Sequence, residues 1–310
     1  MTSDARLDES AQGGLRHAVF VYGTLMRGNR AEYLLRGAEY RGRFALDGFG
    51  MYQLSGFPGI VPEPGKLVLG EVYLVDDAIL ANLDKYEGEG SLYSRRTVEV
   101  KTTENTLSVQ TYVFLGKMDK KNAISAIEQP WKNKKEGDMP NKNDLLWYAC
   151  YGSNLLKERF LCYIQGGVCK HNGKEYEGCN DSVFRGEEDA IIFPGRLYFA
   201  EESLSWSGKG VAFFDPAGDG QVQMRLYLVT RGQLADIKKQ EGPGWYGNEY
   251  CLGIGKNERP IYTLTSPSPQ SDENMPSPEY RACIAEGLGE CGYSEKDAEK
   301  YLDLWVNRQK

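Results

Sequence analysis

Histidine and cysteine are scarce in the first half of this 310-residue chain. The sequence has two histidines, His17 and His171, and seven cysteines, none of which precedes residue 150. An odd number of cysteines, mostly without paired spacing, predicts reduced thiols rather than a disulfide scaffold. The same pattern offers no zinc ligand set, so we expect no bound metal.

The chain also lacks long apolar runs and an excess of positive charge. The longest apolar stretch near its start is residues 18–22, far below the ~20 residues that cross a bilayer. Lys and Arg number 37 against 44 Asp and Glu, for a net charge of −7, which argues against binding of nucleic-acid phosphates. We expect a folded cytoplasmic protein without membrane or nucleic-acid partners, in which residues 1–16 form a disordered leader. Its oligomeric state stays open.

The sequence repeats itself, and the repeat predicts two domains. Three matched pairs carry it: residues 19–25 (VFVYGTL) with 147–155 (WYACYGSNL), 70–76 (GEVYLVD) with 224–230 (MRLYLVT), and 83–88 (LDKYEG) with 237–242 (IKKQEG). The first pair is offset by 129 residues and the others by 154, so the second copy contains an insertion of about 25 residues, which we place in 166–189. We predict domains at 17–116 and 145–310, joined by a polar linker at 117–144.

The third matched segment predicts a short helix in each copy. Asp76 and Thr230 are suitable capping residues, and Gly88 and Gly242 are expected to end the helices. A glutamate occupies the last turn each time, where the helix dipole disfavours a carboxylate by ~0.3–1 kcal/mol. A solvated helix end is the ordinary interpretation of one such residue. Its recurrence favours a buried general acid/base, because an apolar pocket raises the pKa of a carboxyl group.

The first matched pair predicts a strand that ends in glycine and a small hydroxyl residue. Such a turn exposes consecutive backbone N–H groups to an anion or a carbonyl oxygen. A single strand ending in Gly-Ser is more often an ordinary turn. Its presence in both copies favours a ligand-binding loop.

These motifs resemble a known superfamily. In the first copy, the VYGTL, LDKYEG and LYSR (residues 92–95) segments resemble the γ-glutamylamine cyclotransferase branch of the γ-glutamylcyclotransferase-like superfamily. The second copy, with YGSNL, KKQEG and the PSPEY segment at 276–280, resembles γ-glutamylcyclotransferase and the bacterial enzymes that remove γ-glutamyl protection from aminoglycosides. Ile237 and Lys238 depart from the Leu-Asp that is typical of the family.

The resemblance implies an α+β fold of two tandem domains, each a small mixed β-barrel with flanking helices. It implies release of 5-oxoproline and a free amine or amino acid from a small γ-glutamyl substrate, without metal or organic cofactor. The implied acid/base residues are Glu87 and Glu241. The implied binding residues are Tyr22, Gly23, Thr24 and Leu25 in the first copy, and Tyr151, Gly152, Ser153, Asn154 and Leu155 in the second, with Tyr93 and Tyr246 as further candidates to line the pockets.

A hydrolase and a ligand-binding module are the two alternative functions. A hydrolase with Thr24 or Ser153 as nucleophile needs a partner base, and the two histidines do not correspond between copies, which disfavours it. A module that binds γ-glutamyl or amino-acid ligands without turnover stays open for either copy.

Overall fold

The computed structural model describes residue 14 and residues 16–132, 141, 143–242 and 244–309. Most of the leader predicted at 1–16 lies outside these residues. Two compact units divide the chain: unit 1 comprises Met1–Pro140 with Gly253–Pro260, and unit 2 comprises Asn141–Leu252 with Ile261–Lys310. In the described part of the chain, no helix has both the length and the apolar composition needed to cross a membrane.

Unit 1 is built around a closed β-barrel. Its elements are β1 (His17–Val21), β2 (Glu39–Gln53), β3 (Pro58–Val75), α1 (Asp77–Glu87), β4 (Tyr93–Lys101), β5 (Thr106–Phe114) and β6 (Ala123–Ile124), with short 3-10 helices at Glu32–Leu35, Lys120–Asn122 and Ala126–Glu128. The strand order is β3-β1-β5-β4-β2-β6, and a further pairing of β2 with β3 closes five strands into the barrel. The long strands β2 and β3 make this closure possible, because they pair with each other along one edge while β3 also pairs with β1 and β2 also pairs with β4.

Unit 2 has related strands in an open sheet. Its elements are β7 (Leu145–Cys150), α2 (Lys157–Gln165), β8 (Gly167–Val168), β9 (Glu175–Tyr176), β10 (Glu188–Pro194), β11 (Arg196–Ser203), β12 (Lys209–Asp215), β13 (Gln221–Thr230), α3 (Arg231–Glu241), β14 (Asn248–Ile254), β15 (Pro260–Thr265), α4 (Pro278–Glu290) and α5 (Glu295–Asn307), with 3-10 helices at Ser153–Leu155 and Leu204–Trp206. A further 3-10 helix, Lys256–Glu258, lies in the segment 253–260 that belongs to unit 1. The main sheet has the order β10-β13-β7-β15-β14, and β11 pairs with β12 alone.

The expected second barrel is therefore not closed. Among the described residues, no pairing joins β14 back to β10. The physical reason is that the two long strands of unit 1 are each broken in unit 2: Gly195 interrupts β10 and β11 at a φ of 146°, and residues 216–220 separate β12 from β13. The pieces are too short to pair at both edges of one sheet. The fold class is α+β, as expected.

The central strands of the two units nonetheless share one register. Val19 pairs with Tyr73 in unit 1, and Tyr148 pairs with Tyr227 in unit 2, which are the positions that the offsets of 129 and 154 relate. In both units the first strand also pairs in parallel with the last barrel or sheet strand, β5 or β15. The sequence match therefore extends to the backbone pairing around each loop.

Both expected helices begin and end where their capping residues predict. The Asp76 side chain accepts a hydrogen bond from the Ile79 N–H at the start of α1, and Gly88 ends that helix in the left-handed region at a φ of 65°. The Thr230 side chain caps α3, which ends before Gly242. Each glutamate is thus the last helical residue, next to the orphan carbonyl groups of the final turn.

Two local predictions differ from the structure. The sequence PEPG at 62–65 looks like a hairpin turn, but β3 continues through it. The first half of the linker predicted at 117–144 belongs to unit 1: β6 pairs with β2 through Met51 and Ile124, and Trp131 is 5% exposed in the barrel core. Residues 133–140 and 142 of that linker lie outside the described residues.

Replacing Trp131 tests this packing. Trp131→Ala removes a buried indole that also donates a hydrogen bond to the Gln53 Oε1 at 2.9 Å. We expect the free energy of unfolding to fall by about 3 kcal/mol. Urea denaturation measures it, with Tyr33→Ala as the control, since Tyr33 is 64% exposed and its loss should cost under about 0.5 kcal/mol. Equal stability of the two variants would place residues 123–131 outside the core.

Candidate active site

A cavity of about 240 Å³ in unit 1 brings together the residues that the two motifs supply. It lies between the end of β1, the end of α1 and the start of β4. Its lining comprises Phe20, Val21, Tyr22, Gly23, Thr24, Leu25, Arg30, Phe57, Pro58, Tyr86, Glu87, Leu92, Tyr93 and Tyr112. All six candidate residues of the first copy therefore face one space.

Two tyrosine hydroxyls hold the walls of this cavity in place. The Tyr22 hydroxyl donates to the Tyr112 carbonyl oxygen at 2.6 Å, and the Tyr93 hydroxyl donates to the Pro58 carbonyl oxygen at 2.9 Å. A Cβ on Gly23 would lie 2.6 Å from the Pro58 Cγ, so this position requires glycine. Since the tyrosine hydroxyls already donate to backbone oxygens, these residues fix the loop and frame the cavity.

The loop after β1 presents donors that the protein itself does not use. Among the described residues, none accepts a hydrogen bond from the backbone N–H of Gly23, Thr24 or Leu25. Buried backbone donors almost always have a partner. These N–H groups can therefore bind a carbonyl oxygen or carboxylate of a ligand in the cavity.

Glu87 lies on the wall of the same cavity at the end of α1. Burial raises the pKa of its carboxyl group from 4.5 to about 7. The helix carbonyls beside it also disfavour the ionised carboxylate, which raises the pKa as well. A carboxyl group with this pKa accepts and returns a proton near neutral pH, as a general acid/base must.

Unit 2 repeats these contacts residue by residue. The Tyr151 hydroxyl donates to the Leu264 carbonyl oxygen at 2.8 Å, and the Tyr246 hydroxyl donates to the Ala212 carbonyl oxygen at 2.8 Å. A Cβ on Gly152 would lie 3.1 Å from the Ala212 Cβ. Ala212 stands where unit 1 has Pro58, so the glycine of each loop packs against the residue whose carbonyl holds the second tyrosine.

Glu241 lies beside the loop of unit 2 and is hydrogen-bonded there. The Asn154 Nδ2 donates to its Oε1 at 2.8 Å, and the Tyr163 hydroxyl donates to its Oε2 at 2.8 Å. Burial raises the pKa of the Glu241 carboxyl group, while these two donors and the nearby Arg159 guanidinium act in the opposite direction. This environment differs from that of Glu87, where burial accounts for the raised pKa.

Two adjoining spaces surround Glu241. A recess of about 40 Å³ is lined by Tyr148, Cys150, Tyr151, Gly152, Ser153, Asn154, Ala212, Glu241, Tyr246, Leu264 and Tyr280. A cavity of about 360 Å³ shares Ser153, Glu241, Tyr246 and Tyr280 with this recess and adds Arg159, Tyr163, Lys174 and Tyr176 among others. Leu155 lines neither space; its side chain is fully buried in the core of unit 2, one position past the residue that matches Leu25.

Comparison with known proteins agrees with the geometry of unit 1. The model of the family described as gamma-glutamyl cyclotransferase, AIG2-like, matches residues 19–133. A putative gamma-glutamylcyclotransferase of Vibrio cholerae is 41% identical over 86 residues, which are 27% of this chain and 74% of that protein. The chain belongs to the γ-glutamylcyclotransferase family. The matched range contains the first loop, Glu87 and Tyr93, and this membership supports cyclotransferase activity of that general kind.

Two further relatives differ in coverage. Histone deacetylase 5 of Arabidopsis thaliana is 32% identical over 205 residues, which are 53% of this chain and 31% of that longer protein. The chain thus spans about a third of that relative's length. The crystal structure of an AIG2-like protein from mouse aligns with a TM-score of 0.33 at 25% identity and covers 40% of this chain and 92% of the mouse chain.

Several lining residues of both units are not predicted by the sequence motifs. Phe57, Pro58 and Tyr112 carry no motif and reach the first cavity through strand pairing. Arg159 and Tyr163 have a weak signal, since they are four residues apart and therefore share a face of the helix that follows the second loop. The described residues contain no group of three or more His, Cys, Asp or Glu side chains that could hold a metal ion.

Replacing Glu87 with Gln should make the folded protein more stable at alkaline pH. Because the carboxyl pKa is about 7 when folded and near 4.5 when unfolded, the folded chain holds a proton between these values that the unfolded chain has lost. Stability therefore falls as pH rises through this window. At pH 8 we expect the Gln variant to be more stable by about 2 kcal/mol, after allowance for partial exposure of the side chain.

Urea denaturation at pH 8 and at pH 4.5 measures this difference. The gain should shrink towards zero at pH 4.5, where Glu87 is neutral in the folded state. Glu99→Gln is the matched control, since Glu99 is exposed on the same unit. An equal response of both variants at pH 8 would show that Glu87 is not desolvated.

Proposed function

We propose that each unit releases 5-oxoproline from γ-glutamyl compounds, with Glu87 and Glu241 as the general acid/base residues. One observation carries the proposal: a desolvated carboxyl group and a loop with unused N–H donors face the same cavity of unit 1. A γ-glutamyl compound carries its own nucleophile, the α-amine, and its own electrophile, the side-chain amide carbonyl. The protein need supply only orientation, proton transfer and stabilisation of the oxyanion.

Proton removal from the substrate's ammonium group is the first requirement. An α-amino group has a pKa near ~8, and transfer to an ordinary carboxylate is uphill by about 5 kcal/mol. With a pKa of about 7, Glu87 reduces the gap to about 1 kcal/mol. Burial of the carboxyl group therefore contributes directly to the rate.

Ring closure follows from the arrangement around the loop. The freed amine attacks the γ-carbonyl carbon, and the negative charge that develops on the carbonyl oxygen is stabilised by the N–H groups of Gly23, Thr24 and Leu25. The attacking nitrogen gives up its second proton, and the carbon–nitrogen bond to the leaving group breaks. The departing nitrogen takes up this proton and the one held by the Glu87 carboxylic acid, so the amine leaves as an ammonium group. The products are 5-oxoproline and a free amine, and the carboxylate is regenerated.

For unit 1 we propose γ-glutamylamines as substrates. Among the described residues that line its cavity, most are aromatic or aliphatic, and Arg30 provides one guanidinium. Such a lining suits a leaving group with an alkyl stem. This substrate class agrees with the branch that the first copy resembles.

For unit 2 the shared strand register and the repeated tyrosine contacts support the same chemistry. A ligand-binding unit without turnover is the second candidate here. It is favoured by the small recess of about 40 Å³ at the loop and by the hydrogen bonds that Glu241 already accepts.

Separate replacement of the two glutamates distinguishes these functions. We expect Glu87→Gln and Glu241→Gln each to remove turnover in one unit, so that each single variant keeps part of the activity and the double variant falls at least about 100-fold. Release of 5-oxoproline from a panel of γ-glutamyl amines and γ-glutamyl amino acids is the measurement.

The pattern of losses assigns the function of each unit. If Glu87→Gln removes all turnover while γ-glutamyl ligands still bind to unit 2 in calorimetry, then unit 2 is a binding unit. Unchanged turnover in the double variant would overturn the proposed chemistry of both units.

A further inference from the structure

Arg159 is a buried cation that forms no ion pair with a carboxylate within 4.0 Å among the described residues. Its residue is 3% exposed, and its electrostatic interaction with Glu241 acts over a longer distance. Its hydrogen bonds leave from Nη2, which donates to the Tyr176 hydroxyl at 2.5 Å and to the Tyr163 hydroxyl at 3.3 Å. Burying a charge costs free energy unless neighbouring groups compensate for the lost water by pairing or hydrogen bonding.

The rings of the same two tyrosines enclose the guanidinium. Its central carbon lies 4.8 Å from the ring centre of Tyr163 and 4.6 Å from that of Tyr176, which are cation–π distances. The ring centres themselves are 4.7 Å apart. The guanidinium therefore fixes both the position of the Tyr163 ring and the direction of its hydroxyl group.

The Tyr163 hydroxyl connects Arg159 to Glu241. A phenol has one hydrogen to donate, and that of Tyr163 goes to the Glu241 Oε2 at 2.8 Å. Its oxygen accepts from Arg159, and this polarises the hydrogen bond toward the carboxylate. The chain of donors from Arg159 to Tyr163 to Glu241 therefore has a single direction that suits an ionised glutamate.

We infer that Arg159 is a positioning residue for Glu241, acting through the hydroxyl group of Tyr163 to hold the carboxylate ionised and oriented toward the loop. The inference rests on the proposed function of unit 2. It assigns Arg159 a role in proton transfer that acts through Tyr163, which contacts the Glu241 carboxyl group directly.

Unit 1 lacks this device. Leu25 occupies the position that corresponds to Asn154, so the loop of unit 1 offers Glu87 no side-chain amide. Between β1 and β2 the 3-10 helix Glu32–Leu35 stands in place of α2. The offset of 129 relates Arg159 to Arg30, which lines the first cavity, but it relates Tyr163 to Leu34, which has no hydroxyl group to donate. The two carboxyl groups therefore lie in different environments.

Charged and titratable groups from several elements surround Glu241. Those facing it are Arg159 and Tyr163 on α2, Lys174 before β9, Tyr176 on β9, Tyr148, Cys150 and Tyr151 at β7, Tyr246 after α3, and Tyr280 on α4. Burial raises the pKa of the surrounding tyrosines and of Cys150 above their ordinary values, so these groups stay neutral between pH 5 and 9. The tyrosines and Cys150 therefore do not contribute to the acid limb of the unit 2 pH profile. Glu202 lines the same cavity of about 360 Å³, and a shift of the limb in Tyr163→Phe assigns it to Glu241, which accepts the Tyr163 hydrogen bond.

Tyr163→Phe tests the inference in a Glu87→Gln background, which isolates unit 2. The variant keeps the ring beside Arg159 and removes the one hydroxyl that donates to Glu241. Loss of a donor to an ionised group favours the protonated form, so the acid limb of kcat/KM should move up by about one pH unit. At pH 6 the loss in kcat/KM should exceed that at pH 9 by about tenfold.

Two controls separate this role from a structural one. Tyr301→Phe removes a buried hydroxyl on α5 that accepts from the Gln223 N–H, remote from Glu241, and should leave the acid limb unchanged. Arg159→Lys keeps a positive charge without the two-tyrosine geometry and should move the limb in the same direction as Tyr163→Phe. If Tyr163→Phe fails to fold, the shift of the acid limb in Arg159→Lys decides whether Arg159 positions Glu241.

A titration without substrate keeps the inference separate from the proposed function. The ¹³C signal of the Glu241 carboxyl carbon, assigned by its loss in Glu241→Gln, reports its protonation directly. An apparent pKa that rises in Tyr163→Phe supports the positioning role even if the Glu87→Gln parent yields no 5-oxoproline, an outcome that would refute turnover in unit 2. An unmoved titration and an unmoved acid limb would overturn the role of Arg159.

Discussion

Desolvation of one carboxyl group is the constraint on which each site depends. A glutamate at the end of a helix, close to the orphan carbonyls, is unfavourable both by burial and by the helix dipole. The surrounding structure maintains it there: capping residues fix the helix at both ends, and tyrosine hydroxyls hold the facing loop against a neighbouring strand. This arrangement costs stability and raises the pKa of the carboxyl group.

The two units reach this geometry from different frameworks. In unit 1 two long strands curl around and close a barrel, whereas in unit 2 breaks at Gly195 and at residues 216–220 leave the sheet open. The loop, the second tyrosine and the glycine contact are nevertheless preserved at corresponding positions. They depend on the pairing of the first strand with its two neighbours, and this pairing has the same register in both units.

The sites differ in how the carboxylate is solvated by the protein. Glu87 faces a largely aromatic and aliphatic cavity, and burial dominates its pKa. Burial also raises the pKa of Glu241, but this carboxyl group accepts hydrogen bonds from an amide and a phenol, with a guanidinium behind the phenol. The two glutamates thus lie in one apolar and one polar environment.

Local sequence was sufficient to predict the two helices, their ends, the two loops and the glutamates, because capping, glycine conformation and periodicity act over a few residues. Asp76, Gly88 and Thr230 illustrate this. Tertiary structure alone decided that one sheet closes and the other does not, that Trp131 packs in the first core, and that Pro58, Tyr112, Arg159 and Tyr163 reach the sites. These outcomes depend on contacts between residues distant in the chain, whose register no short motif specifies.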